Sequence, residues 1–195
     1  MYPILFASVI SLAVFMERLW VLRRKVIIPK DLIYQVEELV KRGKIEEAIF
    51  LCQGNNSSIS RIFLPGLKNV GKGIWLVKEA IEDKGRREGI LLERNIGVLL
   101  TIANLSPLLG LLGTVSGMIK TFNIISDYSA EISFSLAGGI AEALITTAAG
   151  LLVAIPTLII YRFLMEKAQM MIFQMEENSI KLIDAIEGGG NNEIQ

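Results

Sequence analysis

Charge is absent from three long stretches of the chain and dense between them. Met1–Met16 and Asn95–Ile119 carry none, and Glu142 is the lone charge between Ile132 and Tyr161. A helix that crosses the hydrocarbon layer needs about 20 mostly apolar residues. Three spans are therefore predicted, at 1–20, 95–122 and 132–161. Glu17 and Arg18 close the first, where they can snorkel, and Trp20 suits an interface.

The charged stretches have a helical period. Leu32, Val36, Leu39 and Val40 make one apolar stripe and Ile45, Ala48, Ile49 and Cys52 another, with Gly43 between them. Gly54-Asn55-Asn56-Ser57-Ser58 reads as a loop. Helix resumes near Ile59, is expected to break at Pro65-Gly66, and continues from Trp75 into the second span. After the third span, Leu164, Ala168, Met171, Met175, Ile180 and Ile183 predict a helix that Gly188-Gly189-Gly190 ends. Strand-like alternation is missing. The expected fold is all-α: a three-span transmembrane protein whose long helices extend into a cytoplasmic helical domain. Its parts are the span 1–20, a cytoplasmic domain 21–94, the span 95–122, a periplasmic loop 123–131, the span 132–161, a cytoplasmic C-terminal helix 162–187 and a flexible tail 188–195.

Charge placement sets the orientation. The chain has 20 Lys plus Arg and 20 Asp plus Glu, so formal net charge is zero and no basic excess exists to grip nucleic acid. Arg18, Arg23, Arg24 and Lys25 follow the first apolar run, whereas a signal peptide carries its positive charge ahead of it. Lys and Arg stay in the cytoplasm, which puts the N-terminus in the periplasm and both 21–94 and the C-terminus inside. The outer hairpin then holds Asp127 and Glu131, with Lys120 at its edge and every other basic residue on the inner side. A bacterial inner membrane is the natural home.

Residue types exclude much chemistry. Histidine is absent, which removes Ser-His and Cys-His catalysis and most zinc sites. No metal or cofactor is predicted. Cys52, the one cysteine, cannot form an internal disulfide and reads as a buried thiol. The run Gly66 to Gly73 nearly spells a phosphate-binding loop, but glycine stands at position 73 where Ser or Thr must hold magnesium. The spans contain no aspartate pair, and Ser116-Gly117 lacks the Gly-x of a membrane serine protease, so no enzyme is expected.

Two features of the spans carry functional meaning. In the second, Ala103, Ser106, Gly110, Gly113 and Gly117 recur at three- and four-residue spacing and share a face, which lets helix backbones approach closely. Pro107 removes an amide donor there, and Ser106 or Asn104 is expected to help satisfy the freed backbone. Thr114 can bond its own backbone or line a polar lumen. In the third span Glu142 lies about ten residues in, roughly 15 Å deep. A carboxylate there costs several kcal/mol unless it faces protein or water. Ideal helical phase stacks Thr146 on Glu142 and turns Thr147 about 140° away. Gly138, Gly139, Ala141, Ala143, Ala148, Ala149, Gly150 and Ala154 leave little bulk on any side, and Pro156 is expected to bend the helix near the inner surface.

Together these stretches resemble the MotA/TolQ/ExbB proton-channel family, most of all its ExbB and TolQ branch. The resemblance rests on Glu17-Arg18-Leu19, on Pro107 to Val115, and on Gly139 to Leu144 with Thr147 to Pro156. It covers nearly the whole chain, and three spans fit ExbB or TolQ better than the four-span flagellar type. It implies a homopentameric ring around a one-span ExbD- or TolR-like subunit whose membrane aspartate takes and releases the proton. It further implies a TonB- or TolA-like partner that carries force toward the outer membrane. Residue by residue it assigns Thr114 and Thr147 to the lumen and Glu142 to the acid of the third span. Thr146 stays beside Thr147 as the residue that helical phase prefers. Gly110, Gly113, Gly117, Gly150, Pro107 and Pro156 are assigned to helix packing. The competing expectation is a passive membrane scaffold that assembles other envelope proteins and conducts no ions.

Overall fold

A computed structural model describes residues 2–127 and 132–190. Among the described residues every regular element is an α-helix: α1 Tyr2–Val21, α2 Arg24–Ile27, α3 Lys30–Lys41, α4 Ile45–Gln53, α5 Ser58–Lys68, α6 Ile74–Glu93, α7 Ile96–Asp127 and α8 Ile132–Gly190. Three helical stretches are long and apolar enough to cross a membrane: α1, the one that includes α7, and α8. The protein is thus an all-α, three-span membrane protein.

The chain separates into two compact units. The apolar unit combines Met1–Arg18 with Asn95–Leu164. Its buried positions are few, and many of them are small. On α1 they are Ile4, Ser11 and Arg18, one every seventh residue and so on one face. On α7 they include Ile96, Leu99, Ala103 and Ser106, and on α8 Ala143, Thr146, Ala154, Thr157 and Leu164. Leu5, Phe6, Val9 and Leu12 on α1, and Leu108, Leu111, Leu112 and Leu152 on the other two helices, face outward. So much uncovered apolar surface suits lipid or other subunits, not water. Pro107 and Pro156 lie inside α7 and α8, and neither ends its helix.

The charged unit combines Leu19–Arg94 with Met165–Gln195. Here amphipathic helices bury one stripe each: Leu32, Ile33, Val36 and Val40 from α3, Ala48 and Cys52 from α4, Ile59, Ile62, Phe63 and Leu67 from α5, and Val77, Ile81 and Leu92 from α6. Ala168, Met171, Met175 and Leu182 of α8 complete this core. Each fully buried large side chain contributes about 1.5–3 kcal/mol. Gly43, at φ 73°, makes the left-handed turn between α3 and α4. The Ser57 hydroxyl starts α5 by accepting from the Ser60 amide at 3.3 Å.

Several boundaries differ from expectation. Pro65 and Gly66 lie inside α5 and do not break it. A proline there costs about 3 kcal/mol, which packing offsets. Phe63, Gly66 and Leu67 are buried, and Ile81 Cγ1 lies 2.5 Å from where a Cβ on Gly66 would be. The expected continuity into the second span fails at Asn95. Its φ of 64° ends one helix and lets the next begin at Ile96. Asparagine tolerates that conformation better than most residues. Helix α7 runs on to Asp127, beyond the expected end of the span, and α8 runs through Gly188-Gly189-Gly190. Ile180 is exposed, and Ser179 and Leu182 are buried, because the inward stripe runs Ala168, Met171, Met175, Ser179 and Leu182 at three- and four-residue steps. Residues 128–131 of the expected periplasmic loop, Glu131 included, and 191–195 of the expected tail lie outside the described residues.

Candidate functional site

The site is built where α7 and α8 meet inside the apolar unit. Their contact is close enough that the glycines are sterically required. A Cβ on Gly150 would stand 2.5 Å from the Ser106 carbonyl oxygen and 3.2 Å from Gly110 Cα. One on Gly110 would stand 3.0 Å from Thr147 Cα, and one on Gly117 3.0 Å from Ala143 Cβ. At Gly113 it would collide with the Thr146 side chain, and at Gly139 with that of Thr121. Two helices thus pack closely along Ser106-Gly110-Gly113-Gly117-Thr121 and Gly139-Ala143-Thr146-Gly150, backbone to backbone at Gly110 and Gly150. This geometry needs small residues at matched three- and four-residue steps.

Close packing divides the hydroxyls into two groups. Thr146 is buried against Gly113, and its Oγ1 donates to the Glu142 carbonyl at 3.0 Å. Thr121 and Thr157 likewise donate to Gly117 and Val153. Thr114 is half-buried and donates to the Leu111 carbonyl at 2.7 Å, which leaves its oxygen lone pairs available. Thr147 and Ser106 differ. Their buried hydroxyl oxygens have no hydrogen-bond partner. Of the two residues expected to help satisfy backbone freed by Pro107, Ser106 does not, because its hydroxyl makes no hydrogen bond.

On α8, Glu142 lies just outside this contact, one turn from Thr146. It is exposed, as are Ile145, Leu152, Pro156 and Ile159, which follow it at helical spacing. Among the described residues it forms no salt bridge. The Glu142 and Thr146 side chains, one turn apart, therefore have different surroundings: one is uncovered, the other packed on its own chain. Among the described residues no group of three His, Cys, Asp or Glu is placed to hold a metal ion.

The structure adds polar contacts that sequence reading missed. Ser11 of α1 and Thr157 of α8 are buried and hydrogen-bonded, hydroxyl to hydroxyl, at 3.0 Å. This pins the first span to the third at a distance of 146 residues along the chain. The seven-residue spacing of Ile4, Ser11 and Arg18 was the available signal. At the end of the same helix Glu17 accepts from Arg18 at 3.1 Å and from the Asn95 side chain at 3.3 Å.

In the charged unit, Glu88 is buried and accepts two hydrogen bonds from one guanidinium edge of Arg61, Nε at 2.9 Å and Nη2 at 2.7 Å, with Lys84 3.4 Å away. Burial would raise the Glu88 pKa, but Arg61 and Lys84 hold it below the ordinary carboxylate value. Burial pushes the Cys52 thiol up to about 11. The segment from Gly66 to Gly73 joins the end of α5 to α6, so a helix and not a strand precedes it.

Residues 54–177, which hold α5 to α7 and most of α8, match the model of the MotA/TolQ/ExbB proton channel family. The chain belongs to that family. An ExbB-like protein of Synechocystis sp. is 36% identical over 195 residues, covering 94% of this chain and 74% of that protein. The biopolymer transport protein ExbB of Aquifex aeolicus is 38% identical across 50% of this chain and 66% of its own length. The Tol-Pal system protein TolQ of Pseudomonas aeruginosa is 40% identical across 44% of this chain and 37% of its own. Family and fold agree on a multi-pass membrane protein of the proton-channel type, most like ExbB and TolQ. It is a transport family and not an enzyme family.

Proposed function

We propose that this protein is the ring-forming subunit of an inner-membrane motor driven by proton flow. Five copies surround the membrane helices of an ExbD- or TolR-like subunit, which supplies the aspartate that carries the proton. A TonB- or TolA-like partner takes the resulting force across the periplasm. The N-terminus is periplasmic, and the charged unit with the C-terminus is cytoplasmic.

The observation that carries this reading is Glu142: an acid inside a span, on an apolar helix face that its own chain leaves uncovered. A carboxyl group in that place is costly against lipid and inexpensive against a wet, shared interior. Thr114 and Thr147 are the hydroxyls assigned to the proton path, although the Thr147 oxygen is buried within its own chain. Thr114 keeps its lone pairs and Thr147 its whole bonding capacity. Neutral hydroxyls order water without fixed charge, so a proton passes between waters and the partner's carboxylate. Thr146, spent on Gly113 and the Glu142 carbonyl, sets helix register.

The test is reconstitution with the ExbD- or TolR-like subunit of the same genome. Glu142→Gln and the pair Thr114→Val with Thr147→Val should leave the assembled complex intact by mass and abolish proton flux into liposomes. Full flux in all of these variants, or no flux from the wild-type complex, favours the passive scaffold instead.

A further inference from the structure

Within the charged unit, α6 and α8 leave a groove of about 520 Å3 between them. Buried Ile62, Ile81, Met175 and Ile183 give it an apolar lining, and Ile90 and Ile180 line it while exposed to solvent. On α6 it runs from Ile81 to Glu93, about 18 Å at 1.5 Å per residue, or just over three helical turns. Gly85 opens its wall, since a Cβ there would meet no atom within 4 Å. The charges that line it are Glu82 and Glu93 of α6 and Glu176 of α8, against one base, Arg86. None of these four forms an ion pair among the described residues, so the groove carries an unmatched excess of acid. Glu93 ends α6 and α7 begins at Ile96, so chain continuity keeps that end of the groove beside the start of the second span. An apolar trough with a polar rim takes one face of an amphipathic helix, and surplus acid on the rim selects a basic one.

We propose that this groove is the docking site for the basic cytoplasmic flank of the one-span ExbD- or TolR-like subunit. The cytoplasmic side of an inner-membrane span is the side enriched in Lys and Arg. Such a flank therefore carries the charge that the groove lacks, and it leaves the membrane at the level where the groove begins. Its apolar residues fill the trough beside Gly85 and Ile90, and its cations meet Glu82, Glu93 and Glu176. The partner thus gains a second hold on the chain, outside the proton path. The identity of this occupant rests on the proposed function; the groove and its surplus acid do not.

The probe is a synthetic peptide of that cytoplasmic flank, taken from the ExbD- or TolR-like subunit of the same genome. It is titrated by fluorescence anisotropy against the full chain in a neutral detergent. The wild type should bind it, and more weakly as salt rises. Glu82→Gln, Glu93→Gln and Glu176→Gln together should weaken binding about tenfold, the combined effect of three exposed ion pairs. Gly85→Phe should abolish binding, because its Cβ position is clear of the chain's own atoms and the added ring occupies the open groove. Glu46→Gln, on α4 and not part of the groove, should bind as the wild type does. No binding by the wild type, or equal binding by Gly85→Phe, overturns the proposal. It is also overturned if Gly85→Phe dissociates an oligomer by mass and the peptide does not bind, since a second copy then covers the groove. Proton flux of the reconstituted complex tests the proposed function separately. Flux without peptide binding refutes the docking site and leaves the motor standing, whereas peptide binding lost in Gly85→Phe supports the docking site even where no flux is seen.

Discussion

Gly150→Ala tests the closeness of the helix contact on which the site depends. The new methyl would meet the Ser106 carbonyl oxygen at 2.5 Å, Gly110 Cα at 3.2 Å and the Ser106 carbonyl carbon at 3.3 Å. These are backbone atoms, so no side chain can turn aside. Reaching ordinary separations of about 3.5–4.0 Å requires α7 and α8 to part by roughly 1 Å. Overpacking of this kind costs about 1–3 kcal/mol, against a helix-propensity gain of up to about 1 kcal/mol from replacing glycine. The expected net is a loss of about 1–2 kcal/mol, or roughly 2–8 °C in Tm for a chain of this size. Gly138→Ala is the control. It lies on the same helix with no atom within 4 Å of its Cβ position, so only the propensity gain remains. Thermal unfolding of both variants in detergent, followed by circular dichroism, should move in opposite directions. Should Gly150→Ala melt at or above the wild type, the backbone contact between α7 and α8 is wrong and the placement of the hydroxyls goes with it.

Two further predictions concern the charged unit. Arg61→Ala leaves Glu88, whose side chain is 1% exposed, with Lys84 and the Ser58 hydroxyl but without its guanidinium, and should cost about 3–5 kcal/mol. Glu88→Gln leaves an arginine that is 43% exposed and can turn to water, so about 1–2 kcal/mol is expected. Hydrogen exchange of the α5–α6 amides reads the difference, and a reversed order would refute the buried-acid argument. The same pair sets an acid limit. Because the Glu88 pKa is lowered in the folded state, its contribution is complete above the ordinary carboxylate pKa, about 4, and is lost as pH falls through the lower folded value. Protection in α5–α6 should therefore hold from neutral pH to about 5 and fall in stronger acid, less so in Glu88→Gln. Cys52, its pKa raised to about 11, should resist alkylation at pH 7.5 until the protein is unfolded; equal labelling rates in both states would contradict its burial.

The helices were legible because each type left a strong periodic trace. Spans show as uncharged runs and the charged unit as stripes such as Leu32-Val36-Val40. Boundaries were less legible wherever tertiary packing overrode a local breaker. Pro65-Gly66 reads as a break in isolation, but α5 survives because Gly66 is pressed on Ile81. Asn95 is one polar residue before an apolar run, and nothing local announces its positive φ. At the site, the spacing of small residues on α7 could be read directly. The separate surroundings of Glu142 and Thr146 could not, because an ideal wheel places them 40° apart and the partner helix decides which is covered. Ser11 and Thr157 were invisible as a pair, since their contact is purely three-dimensional.

The glycine stripe does more than shorten the distance between two spans. By accepting Thr146 at Gly113, it commits one of two adjacent threonines to packing and leaves Thr147 with its hydroxyl uncommitted. Adjacent helix positions are 100° apart, so a bulky residue at Gly113 would rotate or displace α8 and change which hydroxyl is free. Energetics point the same way. A proton falling through 100 mV delivers about 2.3 kcal/mol, which is comparable with the expected cost of a single overpacked contact. Helices that touch backbone to backbone at Gly110 and Gly150, receive small side chains at Gly113, Gly117 and Gly139, and are tied to α1 by the Ser11–Thr157 bond, resist that energy together. Under the proposed function, proton passage is therefore expected to move the subunits against the central partner, with each subunit's own three spans moving as one body.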